Sequence, residues 1–231
     1  MSEFDWKERA LLEHIQDLLS EKAQFIEIGS GNGSCAVYLK TCFPSVQVLA
    51  VEALGSAYAD LERLCKVHGV NAMRAIISSE TSTPVAVGFV DISNAITLDD
   101  LTSEIQNIDL LKISTKNLGR DAIRAAQGCL AKTSLLLMPV SIAGSTAEAL
   151  QEQTDQMGFP FIYCWMDGSA LIQVDQSKDF AGVLEGAYGD CTLVLSRAPI
   201  PALTLQGYLF RMLRQARAQH AEIQAILRDQ R

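Results

Sequence analysis

Two acids and three glycines lie where they could hold one small ligand. Glu27, Gly29, Gly31 and Gly33 fall within FIEIGSGNGSCAVYLK, residues Phe25 to Lys40, and Glu52 ends VQVLAVE further along. Glycines at every second position, with Ser30 and Asn32 between them, let a backbone turn approach a ligand closely. A dinucleotide fingerprint, GxGxxG, would require glycine where this chain has Ser34. A carboxylate two residues before the first glycine would also repel a pyrophosphate, whereas it suits a ligand carrying an ammonium and a sulfonium. Glu52, about twenty residues beyond the glycines, can accept hydrogen bonds from both hydroxyls of a ribose. The plain alternative is a tight strand-to-helix turn followed by a solvated acid.

Four further residues could take part in chemistry: His68, Asp91, Lys112 and Ser114. Each has an ordinary reading beside the functional one. His68, before Gly69, reads as the end of a helix near an exposed turn. Asp91, after VAVGFV, reads as a solvated cap or turn residue. Lys112 reads as a side chain snorkelling from a strand to solvent. Ser114 carries no acid or base of its own.

The elements that must position these residues follow from switches in periodicity. Ser2 with Asp5 resembles a capping box, and Phe4, Leu11, Leu12, Ile15, Leu18 and Leu19 share one face of a helix that should cover a domain edge. Apolar, β-branched runs then alternate with helical segments. FIEI precedes a helix after Gly33; VQVLAVE precedes one over about Ser56 to Val67; AMRAII follows. IDLLKI precedes a helix from about Arg120 to Leu130, and SLLLMPV precedes one through Ala147 to Met157. FIYCW and CTLVLSR add two strands, separated by a loop-like stretch from Asp175 to Gly189. Strict alternation predicts an α/β fold, a mostly parallel, doubly wound sheet with helices on both faces.

EIGSGNG resembles the first motif of S-adenosylmethionine-dependent methyltransferases, whose acid-x-Gly-x-Gly-x-Gly turn holds the methionine end of the cofactor. The resemblance implies a Rossmann-like class I methyltransferase fold with S-adenosylmethionine as cofactor. Glu27, Gly29, Ser30, Gly31, Asn32, Gly33 and Glu52 would then be its contacts. A narrower resemblance lies in TLDDLTSEIQNIDLLKISTKNLGRDAIRAAQGCL, Thr97 to Leu130, which is similar to the FkbM-type methyltransferases. Those show TLDDL, a strand close to IDLLKIDVEGAE, and a helix with an arginine and small residues. Thr97 to Leu101, Asp109 to Ile113 and Arg124 match. The following cluster departs: Ser114, Lys116, Asn117 and Gly119 stand where that family has Asp, Glu, Gly and Glu.

The family implies methyl transfer to oxygen on a small molecule or glycan, and transfer to a hydroxyl requires removal of a proton. Ser114 cannot be the base. Either the acceptor is already nucleophilic, or another residue serves, or the chain is a non-catalytic methyltransferase-like binding or scaffold module.

Composition narrows the partners. A net charge of -8 and a pI near 4.9, with no dense Lys/Arg cluster, argue against nucleic acid. No stretch approaches the roughly 18 apolar residues that span a bilayer, and the charged N-terminus is unlike a secretion signal, so a cytoplasmic protein without a membrane partner is expected. Six scattered cysteines without a CxxC pair suggest small core residues rather than a metal site or disulfide framework.

Three regions are expected: an N-terminal helix over 1–22, the cofactor-binding domain over 23–198, and a long C-terminal helix over 199–231. In that last helix Leu205, Leu209, Met212, Ala216, Gln219, Ile223 and Ile226 follow alternating steps of three and four. That register would allow a homodimer through a short coiled coil, or packing of the helix on its own domain.

Overall fold

The computed structural model describes residues 6–20, 22–80, 82–87, 90–114, 120–140, 147–166, 170–174, 180 and 191–201. Its centre is an eight-stranded sheet. Strand β1 (Gln24–Ile28) pairs in parallel with β2 (Gln47–Glu52) on one side and with β7 (Ile108–Ile113) on the other. Outward from β2 comes β3 (Asn71–Arg74), and outward from β7 comes β8 (Thr133–Val140), both parallel. The far side is antiparallel. Strand β11 (Cys191–Ser196) lies between β8 and β9 (Phe161–Met166), and β10 (Ala170–Val174) forms that edge of the sheet.

Strand order therefore reverses at β1, with β2 and β3 wound to one side and β7 and β8 to the other. A crevice opens at such a reversal, outside the carboxyl ends of the central strands. The central strands are apolar on both faces, as a sheet covered on both sides requires. One face carries α1 (Trp6–Ile15), α2 (Ser34–Cys42) and α3 (Gly55–His68), which bury Leu11, Leu39 and Leu61 against Phe25, Ala50 and Leu110. The opposite face carries α4 (Leu98–Leu101), α6 (Gln127–Ala131) and α7 (Ala147–Met157), burying Leu98, Cys129 and Leu150 beside Ile26, Leu111 and Leu136.

Several expectations need correction. Helix α1 ends at Ile15 and gives way to a 3-10 turn, Gln16–Leu18, so Leu18 leaves the apolar stripe and is 44% exposed. The helix covers a face of the sheet, not its edge; Ser2, Phe4 and Asp5 lie outside the described residues. The single helix expected over Arg120 to Leu130 is two, α5 (Arg120–Arg124) and α6. The reason is Asp99, whose carboxylate accepts from the backbone N–H groups of Gly128 (3.0 Å) and Cys129 (2.7 Å) and so caps a second helix start.

AMRAII divides at Ala75 between β3 and β4 (Ile76–Ile77), which belongs to a separate three-stranded sheet with β5 (Ser82–Val87) and β6 (Val90–Ile96). Asp91 is consequently a residue of β6, not a turn residue. Cys42 is exposed, while the other five cysteines are buried and all six are free thiols. Most of the stretch from Asp175 to Gly189, and residues 202–231, where a C-terminal helix with a coiled-coil register is expected, lie outside the described residues.

Candidate ligand-binding site

The turn after β1 is built as the glycines require. Gly29, Gly31 and Gly33 have φ of 75°, 54° and 81°, in the left-handed region where a side chain is strained. Two of them differ in what surrounds them. A Cβ on Gly33 would meet Leu61 Cδ1 at 2.5 Å, so that glycine lets α2 and α3 pack; a Cβ on Gly31 would meet nothing within 4 Å. Gly31 faces open space.

The ends of the turn are tied to the sheet. Gly29 and Ser30 donate backbone N–H groups to the Val51 carbonyl at 2.8 and 3.0 Å, and Ser30 Oγ donates to the Glu27 carbonyl at 3.0 Å. Asn32 Oδ1 accepts from Ser34 N (3.1 Å) and Ser34 Oγ (2.7 Å), which caps the start of α2.

Glu52 is bound on both oxygens. Oε2 accepts the Gly31 N–H at 2.8 Å, and Oε1 accepts the N–H groups of Ala53 and Leu54, each at 2.9 Å. The acid therefore closes the turn after β1 and fixes the two residues that lead into α3 at once. A carboxylate offers about four lone-pair sites, so roughly one remains free, and Leu54, two residues on, is 51% exposed.

Glu27 is placed beneath the turn and is 1% exposed. Its Oε1 accepts from Lys112 Nζ at 2.7 Å, and Lys112 also pairs with Glu8 of α1. This corrects the reading of Lys112 as a snorkelling side chain: its register partner in β1 is Glu27, and it is buried between two carboxylates. Burial pushes the Glu27 carboxyl up, against the pull of the Lys112 ammonium. Burial also acts to lower Lys112, but Glu27 and Glu8 outweigh it and hold the ammonium above the ordinary lysine range. Glu27 Oε2 is buried without a hydrogen-bond partner.

Ser114 follows β7 at the same end of the sheet. Its N–H donates to the Ile28 carbonyl at 2.7 Å, while its Oγ is buried without a partner. Lys116, Asn117 and Gly119 lie outside the described residues. The remaining candidates are not brought to the turn. His68 is the last, exposed residue of α3, before Gly69 at φ 67°. A helix of 14 residues rises about 21 Å from the Glu52 end, which sets His68 toward the amino-terminal ends of the strands. Asp91 belongs to the smaller sheet.

Sequence reasoning missed Glu8. Its signal is weak, an acid in the first turn of an amphipathic helix, which ordinarily reads as a solvated dipole partner. Asp99 and Asp109 were singled out by motif and prove to have structural partners. Asp109 Oδ2 accepts from the Gln24 N–H at 2.8 Å and fixes the start of β1 against β7.

The fold is an α/β, Rossmann-like architecture of the kind found in methyltransferases. Among solved structures it is similar to the human methyltransferase 10 domain containing protein, with 10% identity, a TM-score of 0.51, and coverage of 86% of this chain and 85% of that one. It is also similar to a protein in the NADB-Rossmann superfamily from Streptococcus agalactiae, with 12% identity, a TM-score of 0.50, and coverage of 91% and 75%. A precorrin-6y C5,15-methyltransferase from Geobacter metallireducens aligns at 10% identity and a TM-score of 0.49, covering 86% and 90%. No protein-family model matches the chain, and no curated protein matches it in sequence. Among the described residues, no helix is long and apolar enough to cross a membrane.

Proposed function

We propose that the chain is an S-adenosylmethionine-dependent methyltransferase of FkbM-like type, acting on oxygen of a small-molecule or glycan acceptor. The observation that carries this reading is the clamp of Glu52 on Gly31. It brings the acid ending β2 to the open middle of a left-handed glycine turn, at the sheet's reversal point. A nucleoside laid across Gly31 finds a carboxylate for its ribose, exposed apolar surface at Leu54 for its base, and negative charge near Glu27 for a cationic end. The residues present fit the cofactor.

Bound S-adenosylmethionine would supply a methyl group on a sulfonium, and the chain's part is then largely positioning. Glu52 would orient the ribose, and the Gly29 to Gly33 backbone would let the methionine end lie against the sheet. Ser114 follows β7 beside Ile28, and its hydroxyl cannot act as a base at neutral pH. Lys116, close by in sequence, adds a positive charge that favours an acceptor carrying a carboxylate, phosphate or acidic hydroxyl.

A second reading is supported by the same Ser114: a non-catalytic methyltransferase-like module that binds the nucleoside without turnover. Calorimetry with S-adenosylmethionine and S-adenosylhomocysteine tests the class, with micromolar binding expected. A screen of neutral sugars, amines and acidic acceptors, followed by formation of S-adenosylhomocysteine, separates the two readings. Lack of binding at millimolar nucleoside would overturn the class. Turnover confined to amines or neutral sugars would overturn the charge argument, and tight binding with no turnover would select the module.

A further inference from the structure

We propose that Glu8, on the N-terminal helix α1 and outside the glycine motif, is the acid that meets the cationic end of the nucleoside and so sets the ligand preference of the turn. The inference rests on the cofactor reading and adds a residue to it. Glu27, the motif acid, has a side chain only 2% exposed and spends one oxygen on Lys112. Glu8 spends its contact on the same ammonium, yet its side chain keeps 27% of its surface open. Of the three charged side chains, the one with open surface for a ligand is that of Glu8.

The charges agree with the access. One ammonium lies between two carboxylates, leaving a net charge of -1 from this trio beneath the glycine turn. Glu27 Oε2, buried and without a partner, holds part of that unbalanced charge inside. Buried charge without a matching partner is costly, and a cationic ligand end relieves that cost where an anionic or neutral end does not. The cluster stands at the turn itself. Carboxylate oxygens of Glu8 and Glu27 and the Cys35 sulfur lie within 4.8 Å of one another, and Cys35 is the second residue of α2. Those atoms could be imagined around a metal ion, but the Lys112 ammonium already fills the cationic place among them.

The division of labour is then plain. Lys112 and Glu27 form the buried pair that orients Glu8, and Glu8 recognises the ammonium of the amino-acid end. In this arrangement α1 is part of the binding site as well as a cover over one face of the sheet.

The test compares two ligands on the full chain by calorimetry: S-adenosylhomocysteine, which has the ammonium, and 5′-methylthioadenosine, which lacks the whole amino-acid end. Glu8→Gln keeps an acceptor for Lys112 and removes the charge. It should weaken S-adenosylhomocysteine about tenfold and leave 5′-methylthioadenosine unchanged. Equal weakening of both would make Glu8 a structural support, and no weakening of either would remove it from the site; each result overturns the inference. Should Glu8→Gln fail to fold, the parent protein still decides the matter. A deaminated S-adenosylhomocysteine, with its carboxylate but no ammonium, should bind no more tightly than 5′-methylthioadenosine, and binding equal to S-adenosylhomocysteine would overturn the inference. A parent protein that binds none of the three overturns the cofactor reading itself.

Discussion

Glu52 Oε2 accepts the backbone N–H of Gly31 at 2.8 Å, so the acid ending one strand holds open the turn that follows its neighbour. The same carboxylate accepts the N–H groups of Ala53 and Leu54, which lead into α3. Glu52→Ala should therefore have two effects. S-adenosylhomocysteine affinity should fall tenfold or more, from loss of a charge-assisted contact of ~1.5–3 kcal/mol. Stability should fall by about 1–2 kcal/mol through the lost hydrogen bonds to the backbone of Gly31, Ala53 and Leu54. Calorimetry and urea unfolding measure the two separately, and an unchanged affinity would remove Glu52 from the ribose site.

The glycines should separate by experiment. Gly33→Ala drives a Cβ into Leu61, which is fully buried, and also strains a φ of 81°. It should destabilise the protein by about 2–4 kcal/mol. Gly31→Ala meets no neighbour, so its stability cost should stay near the backbone strain of about 1–2 kcal/mol while nucleoside binding falls sharply. Thermal unfolding beside ligand titration would show the contrast.

Removing Lys112 should be severe. Lys112→Met leaves Glu27 buried and unpaired, at a cost of about 3–5 kcal/mol near neutral pH. The deficit should shrink in acid. Burial already raises the Glu27 carboxyl, and loss of the ammonium raises it further, so stability from the protonated form is present at low pH and is lost as pH rises through the raised value. Urea midpoints from pH 4.5 to 8 would display this slope, and a variant equally destabilised across that range would refute it.

Thiol reactivity should single out Cys42. The other five thiols are buried, and burial holds Cys65 up at about 11. A disulfide exchange reagent at pH 8 should modify one thiol of six rapidly in the native protein and all six in guanidinium. Cys42→Ser should abolish the rapid phase.

What the sequence made legible was local. The spacing of Gly29, Gly31, Gly33 and Glu52 is set by one strand, one turn and the next strand, so it could be read before any packing was known. Helix α3, predicted from about Ser56 to Val67, runs from Gly55 to His68 for the same reason: its apolar period and terminal glycine are contained within it. Lys112 was misread because its fate depends on the partner strand, and only the register that sets it opposite Glu27 turns a snorkelling lysine into a buried one. Glu8 was invisible for a related reason, since its contact spans more than a hundred residues of sequence and looks in isolation like a solvated helix acid. Strands β5 and β6 were missed because their runs, STPVAV and VDISNAI, mix polar residues into apolar ones and pair mainly with each other. The break between α5 and α6 was hidden because the capping carboxylate, Asp99, comes from a distant segment.

The placement of β11 has a consequence for how the chain is made. Because Cys191–Ser196 lies between β8 and β9, the hairpin of β9 and β10 has no seat in the sheet until the segment after it has left the ribosome. During synthesis β8 must wait as an open edge, exposing Leu135, Leu137 and their unpaired backbone groups to any strand that arrives first. The last of the described strands is thus the sheet's keystone: the nascent protein is open to mispairing while that strand is absent, and its arrival closes both gaps in one step.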